Sequence, residues 1–176
     1  AIYRGAEVVL ITAPTALAVP VGIRTIPVNT ASDMKQAVDK AVVGANALIM
    51  AAAVADYHVS SPAQNKIKKE SSGYLTLELE KTTDILGQVQ GNFIRVGFAA
   101  ESEDLVKNAT SKLQSKNLDL IVANDITEKD SGFGTDTNHV MIIDKQGKAD
   151  TLPLLTKYKV AETILDRVAN LLQSKS

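Results

Sequence analysis

The apolar residues of this chain fall into runs with two different periods. Glu7-Val-Val-Leu-Ile-Thr12 and Ile23-Arg-Thr-Ile-Pro-Val28 are short and β-rich, and each predicts a strand. Residues 32–43 carry Met34, Ala37, Val38, Ala41 and Val42 at helical spacing, with Thr30 or Ser32 in position to cap the first turn. Ala47-Leu-Ile-Met-Ala-Ala-Ala53 is continuously apolar, the signature of a strand covered on both faces. Phe93-Ile-Arg-Val-Gly-Phe98, Leu118-Asp-Leu-Ile-Val-Ala123 and His139-Val-Met-Ile-Ile-Asp144 predict three more strands. Two further helices are predicted. Residues 102–116 put Leu105, Ala109 and Leu113 on one stripe, with acidic Glu103 and Asp104 ahead of basic Lys112 and Lys116, a charge order that matches the helix dipole. Lys157 to Gln173 turns Val160, Ile164, Val168, Leu171 and Leu172 inward. Strands that alternate with helices predict an α/β domain: a Rossmann-like, open, mostly parallel sheet with helices on both faces, formed by residues 1–176 as one unit.

Two stretches depart from this rhythm. Ala1-Ile-Tyr-Arg-Gly-Ala6 reads as the last turn of a helix, stopped at Gly5, with no helix start ahead of it; a preceding strand, loop and half helix are expected. Residues 58–82 form a flap or arm that leaves the sheet. Ser60-Ser-Pro-Ala is turn-like and Lys66-Ile-Lys-Lys69 is basic. Tyr74-Leu-Thr-Leu-Glu-Leu-Glu80 alternates strictly, which predicts a strand with one wet face.

Composition narrows the chemistry. The chain has 176 residues and a formal net charge of -1, so it carries no overall electrostatic footprint for nucleic acid, and any basic site must be local. It has no cysteine, which removes disulfides, thiolate nucleophiles and zinc–thiolate sites, and its two histidines cannot build a histidine-rich metal centre. No apolar run is long enough to span a bilayer, and a cytoplasmic protein with no membrane partner is the default expectation. The Gly-rich dinucleotide fingerprint, the Walker A loop, the zincin helix and the nucleophile elbow are all absent; Gly132-Phe-Gly134 fails the first of these because position 137 is threonine.

What remains sits at the ends of predicted strands, where open α/β sheets bind ligands. Ala51-Ala-Ala-Val-Ala-Asp-Tyr57 lets a ligand approach the backbone and offers the Asp56 carboxylate; tight helix–sheet packing and a helix cap would account for the same residues. The lysines of 66–69 suit a polyphosphate as mobile point charges, or form a solvated turn. Lys112 and Lys116, spaced i,i+4, share a helix face and could hold phosphate oxygens, or simply compensate the helix C-terminus. Phe98 could wall a base or fill the core. Asn124 and Asp125 could contact a ligand or make an Asx turn before Ile126-Thr127. The loop Gly132-Phe-Gly-Thr-Asp-Thr-Asn138 reads as a connection.

Four blocks occur in order: A-A-A-V-A-D-Y, K-I-K-K, V-G-F-A-A-E and K-N-L-D-L-I-V-A-N-D. With them the chain resembles phosphopantothenoylcysteine synthetase over nearly its whole length, from Arg4-Gly5 through the final helix. The resemblance implies a CTP-dependent ligase of coenzyme A biosynthesis that joins 4′-phosphopantothenate and cysteine through an acyl-cytidylate, with magnesium and with cytoplasmic, homodimeric character. In most bacteria this domain is fused behind a flavin-dependent decarboxylase, so FMN would belong only to that fused domain. The resemblance implies nucleotide contacts at Met50, Ala51, Ala52, Asp56, Lys66, Thr83, Asp84, Ile85, Leu86, Phe98, Lys112 and Lys116, and substrate contacts at Ala52 and Ala53. Lys66 would be the flap lysine that stabilises departing pyrophosphate and is the one catalytic residue expected here. No metal ligand can be named. The family begins with a strand, a Gly-rich turn and an Asn- and Ser-rich loop that this chain lacks at the matching position. A dinucleotide-dependent oxidoreductase, motivated by the alternating sheet, and a non-catalytic nucleotide-binding subunit, motivated by that missing loop, are the competing readings.

Overall fold

The computed structural model describes residues 1–67, 74–127 and 134–175. The chain opens with a single 3-10 turn, Ile2–Arg4, ended by Gly5 in the left-handed conformation, φ 81°. Arg4 fastens this turn to the far end of the chain: its guanidinium donates to Asp166 Oδ1 at 2.7 Å and reaches Glu162 Oε2 at 3.1 Å. In order there follow β1 (Val9–Thr12), β2 (Arg24–Pro27), α1 (Ala31–Ala41), β3 (Ala47–Met50), β4 (Tyr57–Val59), β5 (Leu79–Lys81), α2 (Ile85–Gln88), β6 (Ile94–Glu101), α3 (Leu105–Ser115), β7 (Leu120–Asp125), β8 (Thr137–Asn138), β9 (Val140–Asp144), β10 (Ala149–Thr151), β11 (Leu155–Thr156) and α4 (Lys157–Lys175).

The expected α/β architecture is present. A five-stranded sheet has the order β10-β9-β7-β6-β3. Its strands β3, β6 and β7 run parallel, and β9 and β10 add an antiparallel edge. Helices cover both faces. On one, Val160, Ile164 and Val168 of α4 pack on Ile94, Val96, Leu120, Val122, Val140 and Ile142. On the other, Ala109 and Leu113 of α3 pack on Ala99, Ile121, Ala123 and Ile143, together with Leu86 and Leu118. Each such buried aliphatic side chain contributes about 1.5–3 kcal/mol relative to exposure. The cap on α1 is a full capping box: Thr30 accepts from Asp33 N, and Asp33 accepts from Thr30 N.

Four expectations need correction. The apolar run from Ala47 was expected to stay in a strand through Ala53 and to be covered on both faces. Instead β3 ends at Met50 and is only half-buried, with Ile49 exposed, because it is the outer strand of the sheet. Strands β1 and β2 pair in parallel as a separate two-stranded unit, joined to β3 through a shared cluster under α1 that includes Ile11, Ile26, Leu48 and Met50. The alternating run at 74–80 was expected to be a strand throughout, yet only Leu79–Lys81 pairs, with Tyr57–Val59 of the hairpin neck. The alternation lacks a partner ladder farther out, and Leu75, Leu77 and Leu79 lie exposed. Finally, α3 starts at Leu105, after Asp104 in a left-handed conformation, so Glu103 and Asp104 precede the first turn instead of forming it. Lys68 and Lys69 of the basic run, and Gly132 and Phe133 of the later loop, lie outside the described residues.

Candidate functional site

Parallel packing brings the carboxyl ends of β3, β6 and β7 to one rim, with Met50 opposite Gly97 and Glu101 opposite Asp125. A cavity of about 330 Å³ opens there. Its floor is the extended segment that leaves β3, through Met50, Ala52, Val54, Ala55 and Asp56. One wall is Lys81 through Leu86, the strand that returns from the arm and the start of α2; Phe98 and Lys116 close the remainder. Nine of the residues singled out in the sequence therefore meet in one hollow: Met50, Ala52, Asp56, Thr83, Asp84, Ile85, Leu86, Phe98 and Lys116.

Local chemistry holds this wall. Asp84 caps α2 by accepting from Gly87 N at 3.1 Å, and the same Oδ1 takes Lys116 Nζ at 2.9 Å. Ile85 and Leu86 bury beneath it, so the two-residue apolar anchor fixes the polar edge above. Phe98 is 39% exposed, a ring presented to the cavity and not a filled core position. Thr82 N donates to Asp56 O at 2.8 Å, which ties the floor to the wall at the neck of the arm.

Four of the expected residues do not line the hollow. Ala51 and Ala53 alternate with lining residues on the same exposed segment. Lys112 lies on α3 with its Nζ 2.5 Å from Glu101 Oε1. Lys66 is exposed on the arm, outside the lining. Lys112 and Lys116, expected to share one helix face, thus go to different carboxylates, and Lys116 is the residue that ends α3. Asn124 is buried, and Asp125 takes Thr127 N and Oγ1 at 2.8 and 2.6 Å, the Asx turn allowed by the sequence. The hydrogen bond from the Thr127 side chain, then that from its backbone, holds the Asp125 carboxyl below the usual carboxylate range.

Reasoning from the sequence missed Lys81, Thr82, Val54 and Ala55, which also line the cavity. The available signal was Lys81 itself, the charge that ends the alternating run just before Thr82-Thr-Asp84. A second hollow, of about 490 Å³, lies at the opposite rim, before β3 and β6. Its one carboxylate, Asp39, is already paired with Lys35 at 2.6 Å. Among the described residues no group of three histidine or acidic side chains is placed to hold a metal ion, and no helix is long and apolar enough to cross a membrane.

Residues 1–172 match the family described as DNA/pantothenate metabolism flavoprotein, C-terminal domain. The chain is 43% identical over 175 residues to the coenzyme A biosynthesis bifunctional protein CoaBC of Bacillus subtilis, covering 97% of this chain and 43% of the relative. It is 35% identical over 179 residues to CoaBC of Escherichia coli, covering 98% of this chain and 44% of the relative. It thus spans less than half the length of these relatives. Among solved structures, the C-terminal domain of a CoaBC protein superposes with a TM-score of 0.79 at 36% identity, covering 98% of this chain and 78% of that one. Three of the four blocks that carried the resemblance contribute residues to the rim cavity, and with this coverage the chain belongs to the DNA/pantothenate metabolism flavoprotein C-terminal domain family, the phosphopantothenoylcysteine synthetase part of the CoaBC proteins.

Proposed function

We propose that this domain is the CTP-dependent ligase that joins 4′-phosphopantothenate and cysteine. In the first half-reaction a pantothenate carboxylate oxygen attacks the α-phosphorus of CTP, the bond to the bridging oxygen breaks, and pyrophosphate leaves. In the second, the cysteine amine attacks the acyl carbon of the acyl-cytidylate, loses a proton, and expels CMP. The observation that carries this reading is the single hollow shared by an exposed carboxylate (Asp56), an aromatic face (Phe98) and a lysine-bearing wall. A nucleotide needs such a set: an acceptor for hydroxyl or amine, a surface for the base, and cations for phosphate. Small side chains at Ala52 on the floor and at its neighbour Ala53 would leave backbone open to the substrate carboxylate. Lys66 would act from the arm, stabilising charge on the departing pyrophosphate. Lys112 would exchange Glu101 for phosphate. Magnesium would arrive with the polyphosphate, as this small cation keeps water and phosphate oxygens as most of its ligands.

The same reading covers the assembly. Among the described residues β1 pairs only with β2 and β3 only with β6, and residues of both lie in the cluster under α1. The parallel strand that carries the family's Asn-rich loop would pair between them and bring that loop to the cavity rim. The exposed apolar residues of the arm, Tyr57, Leu75, Leu77 and Leu79, would meet a second copy in a homodimer. A cytoplasmic location and fusion to a flavin-dependent decarboxylase, which would hold the FMN, complete the proposal.

The test is pyrophosphate release by the intact parent protein with CTP, 4′-phosphopantothenate and cysteine; none would overturn the reading. Lys66→Ala is expected to abolish most turnover with the melting temperature unchanged. CTP is expected to raise the melting temperature where NAD(P) does not; the opposite pattern would favour an oxidoreductase. Tight CTP binding without turnover by the intact parent would indicate a non-catalytic nucleotide-binding subunit.

A further inference from the structure

The charges on the cavity wall are not equivalent. Lys116 is neutralised by Asp84, which is itself occupied as the cap of α2. Lys112, outside the lining, is neutralised by Glu101. Among the described residues Lys81 forms no ion pair, and it lines the cavity. Its backbone is held on both sides: Lys81 pairs with Tyr57 in the hairpin neck, and the next residue, Thr82, donates to Asp56 O. Asp56 is the other uncommitted charge of the lining. Asp56 is joined to Thr82 while Lys81 stands opposite Tyr57, one step along the neck, and among the described residues Asp56 and Lys81 form no ion pair with each other. A ligand seated in the hollow at the neck therefore has both an acceptor and an unpaired ammonium in its lining.

We propose that Lys81 is a phosphate-anchoring residue of this cavity, binding a phosphate oxygen of the ligand that lies across the neck of the arm. A polyanion gains most from a cation that no carboxylate has already cancelled, and Lys81 is the cation of the lining that meets this condition. It sits on a paired strand, so its ammonium swings from a fixed point, whereas Lys66 lies farther out on the arm. The inference rests on the nucleotide-ligase reading and adds to it a residue outside the set expected from the sequence. The phosphate has two possible sources, the nucleotide and 4′-phosphopantothenate, and both offer the same oxygen chemistry.

Isothermal titration of the intact parent protein and of its Lys81→Gln, Lys81→Arg and Lys159→Gln variants separates these sources. The ligands are CTP, cytidine, 4′-phosphopantothenate and pantothenate, with magnesium present. Lys159→Gln removes a charge from α4 and controls for net charge. Loss of one charge-assisted hydrogen bond predicts binding weaker by about tenfold or more. Weaker CTP binding in Lys81→Gln, with cytidine unaffected and Lys81→Arg restored in large part, assigns the nucleotide phosphate. Weaker 4′-phosphopantothenate binding with CTP and pantothenate unaffected assigns the substrate phosphate. Equal affinity of wild type and Lys81→Gln for both phosphorylated ligands overturns the inference and leaves the ligase reading standing. Failure of the wild type to bind either ligand overturns the ligase reading, and the inference with it. Unliganded melting temperatures confirm that each variant is folded.

Discussion

Replacing Gly97 with alanine puts a methyl carbon where the structure has no room for one. Gly97 lies in β6 between Met50 of β3 and Ile121 of β7, at the level of the cavity floor. A Cβ built there would stand 2.7 Å from Leu118 Cδ1 and 3.0 Å from Leu86 Cδ2. Carbon pairs are most favourable at roughly 3.5–4.0 Å, so Leu118 must recede by about 0.8 Å and Leu86 by about 0.5 Å. Neither has free space. Leu118 is 1% and Leu86 7% exposed, and both are packed into the cluster with Ala109, Leu113 and Ile121. Overpacking of this kind costs about 1–3 kcal/mol, from which the reduced backbone freedom of the unfolded alanine chain returns about 0.4–1. The expected net loss is about 1–2 kcal/mol, or a melting temperature lower by about 2–8 °C for a domain of this size. Urea denaturation followed by circular dichroism measures it. In a Leu118→Val background, where the opposing methyl is gone, the added carbon is expected to cost less, with a coupling energy above about 0.5 kcal/mol. Because Leu86 also lines the cavity, CTP affinity is expected to fall in parallel. A Gly97→Ala protein as stable as the parent, or additive with Leu118→Val, would refute the packing argument.

Asp84→Ala removes the α2 cap and strands Lys116 at once, so a stability loss of about 1 kcal/mol is expected from the cap, together with a change in CTP affinity. Denaturant unfolding and titration read the two effects separately, and a variant unchanged in both would show that the wall does not depend on this carboxylate. Acid sensitivity follows from three carboxylates held below their ordinary range: Asp33 by hydrogen bonds from the Thr30 side chain and the Thr30 and Asn29 backbones, Asp125 by Thr127, and Asp150 by the hydrogen bond from Arg167. Since the folded state lowers these values, their stabilisation is present above the unfolded carboxylate range, near pH 4, and is lost as pH falls below it. Melting temperature against pH should be flat near neutrality and fall below about pH 4, less steeply in Thr30→Ala; constancy down to pH 2 would contradict it.

Much of the fold was legible because periodicity and burial agree where a strand or helix is covered. The runs at Leu120–Asp125 and Val140–Asp144 are buried strands, and the stripe of Val160, Ile164 and Val168 faces the sheet as its spacing required. The misreadings share a cause: periodicity reports which face is apolar, but not whether a neighbour is there to cover it. The run from Ala47 has the composition of an interior strand and stands at an edge; the alternation at 74–80 has a strand's pattern without a ladder. At the site, strand-end positions were readable because the topology sends them to one rim. Lys81 was not, because its place in the lining depends on the pairing of β4 with β5, which joins residues more than twenty positions apart.

The clasp between the first turn and the closing helix also bears on how the domain comes apart. Arg4 holds Asp166 and Glu162 across more than 150 positions of sequence, so the turn cannot fray without α4 losing a partner near its middle. The three side chains are about a third or more exposed, so added salt screens their attraction. High ionic strength will therefore loosen the amides of residues 2–5 before those of the sheet, an order that hydrogen exchange reads residue by residue.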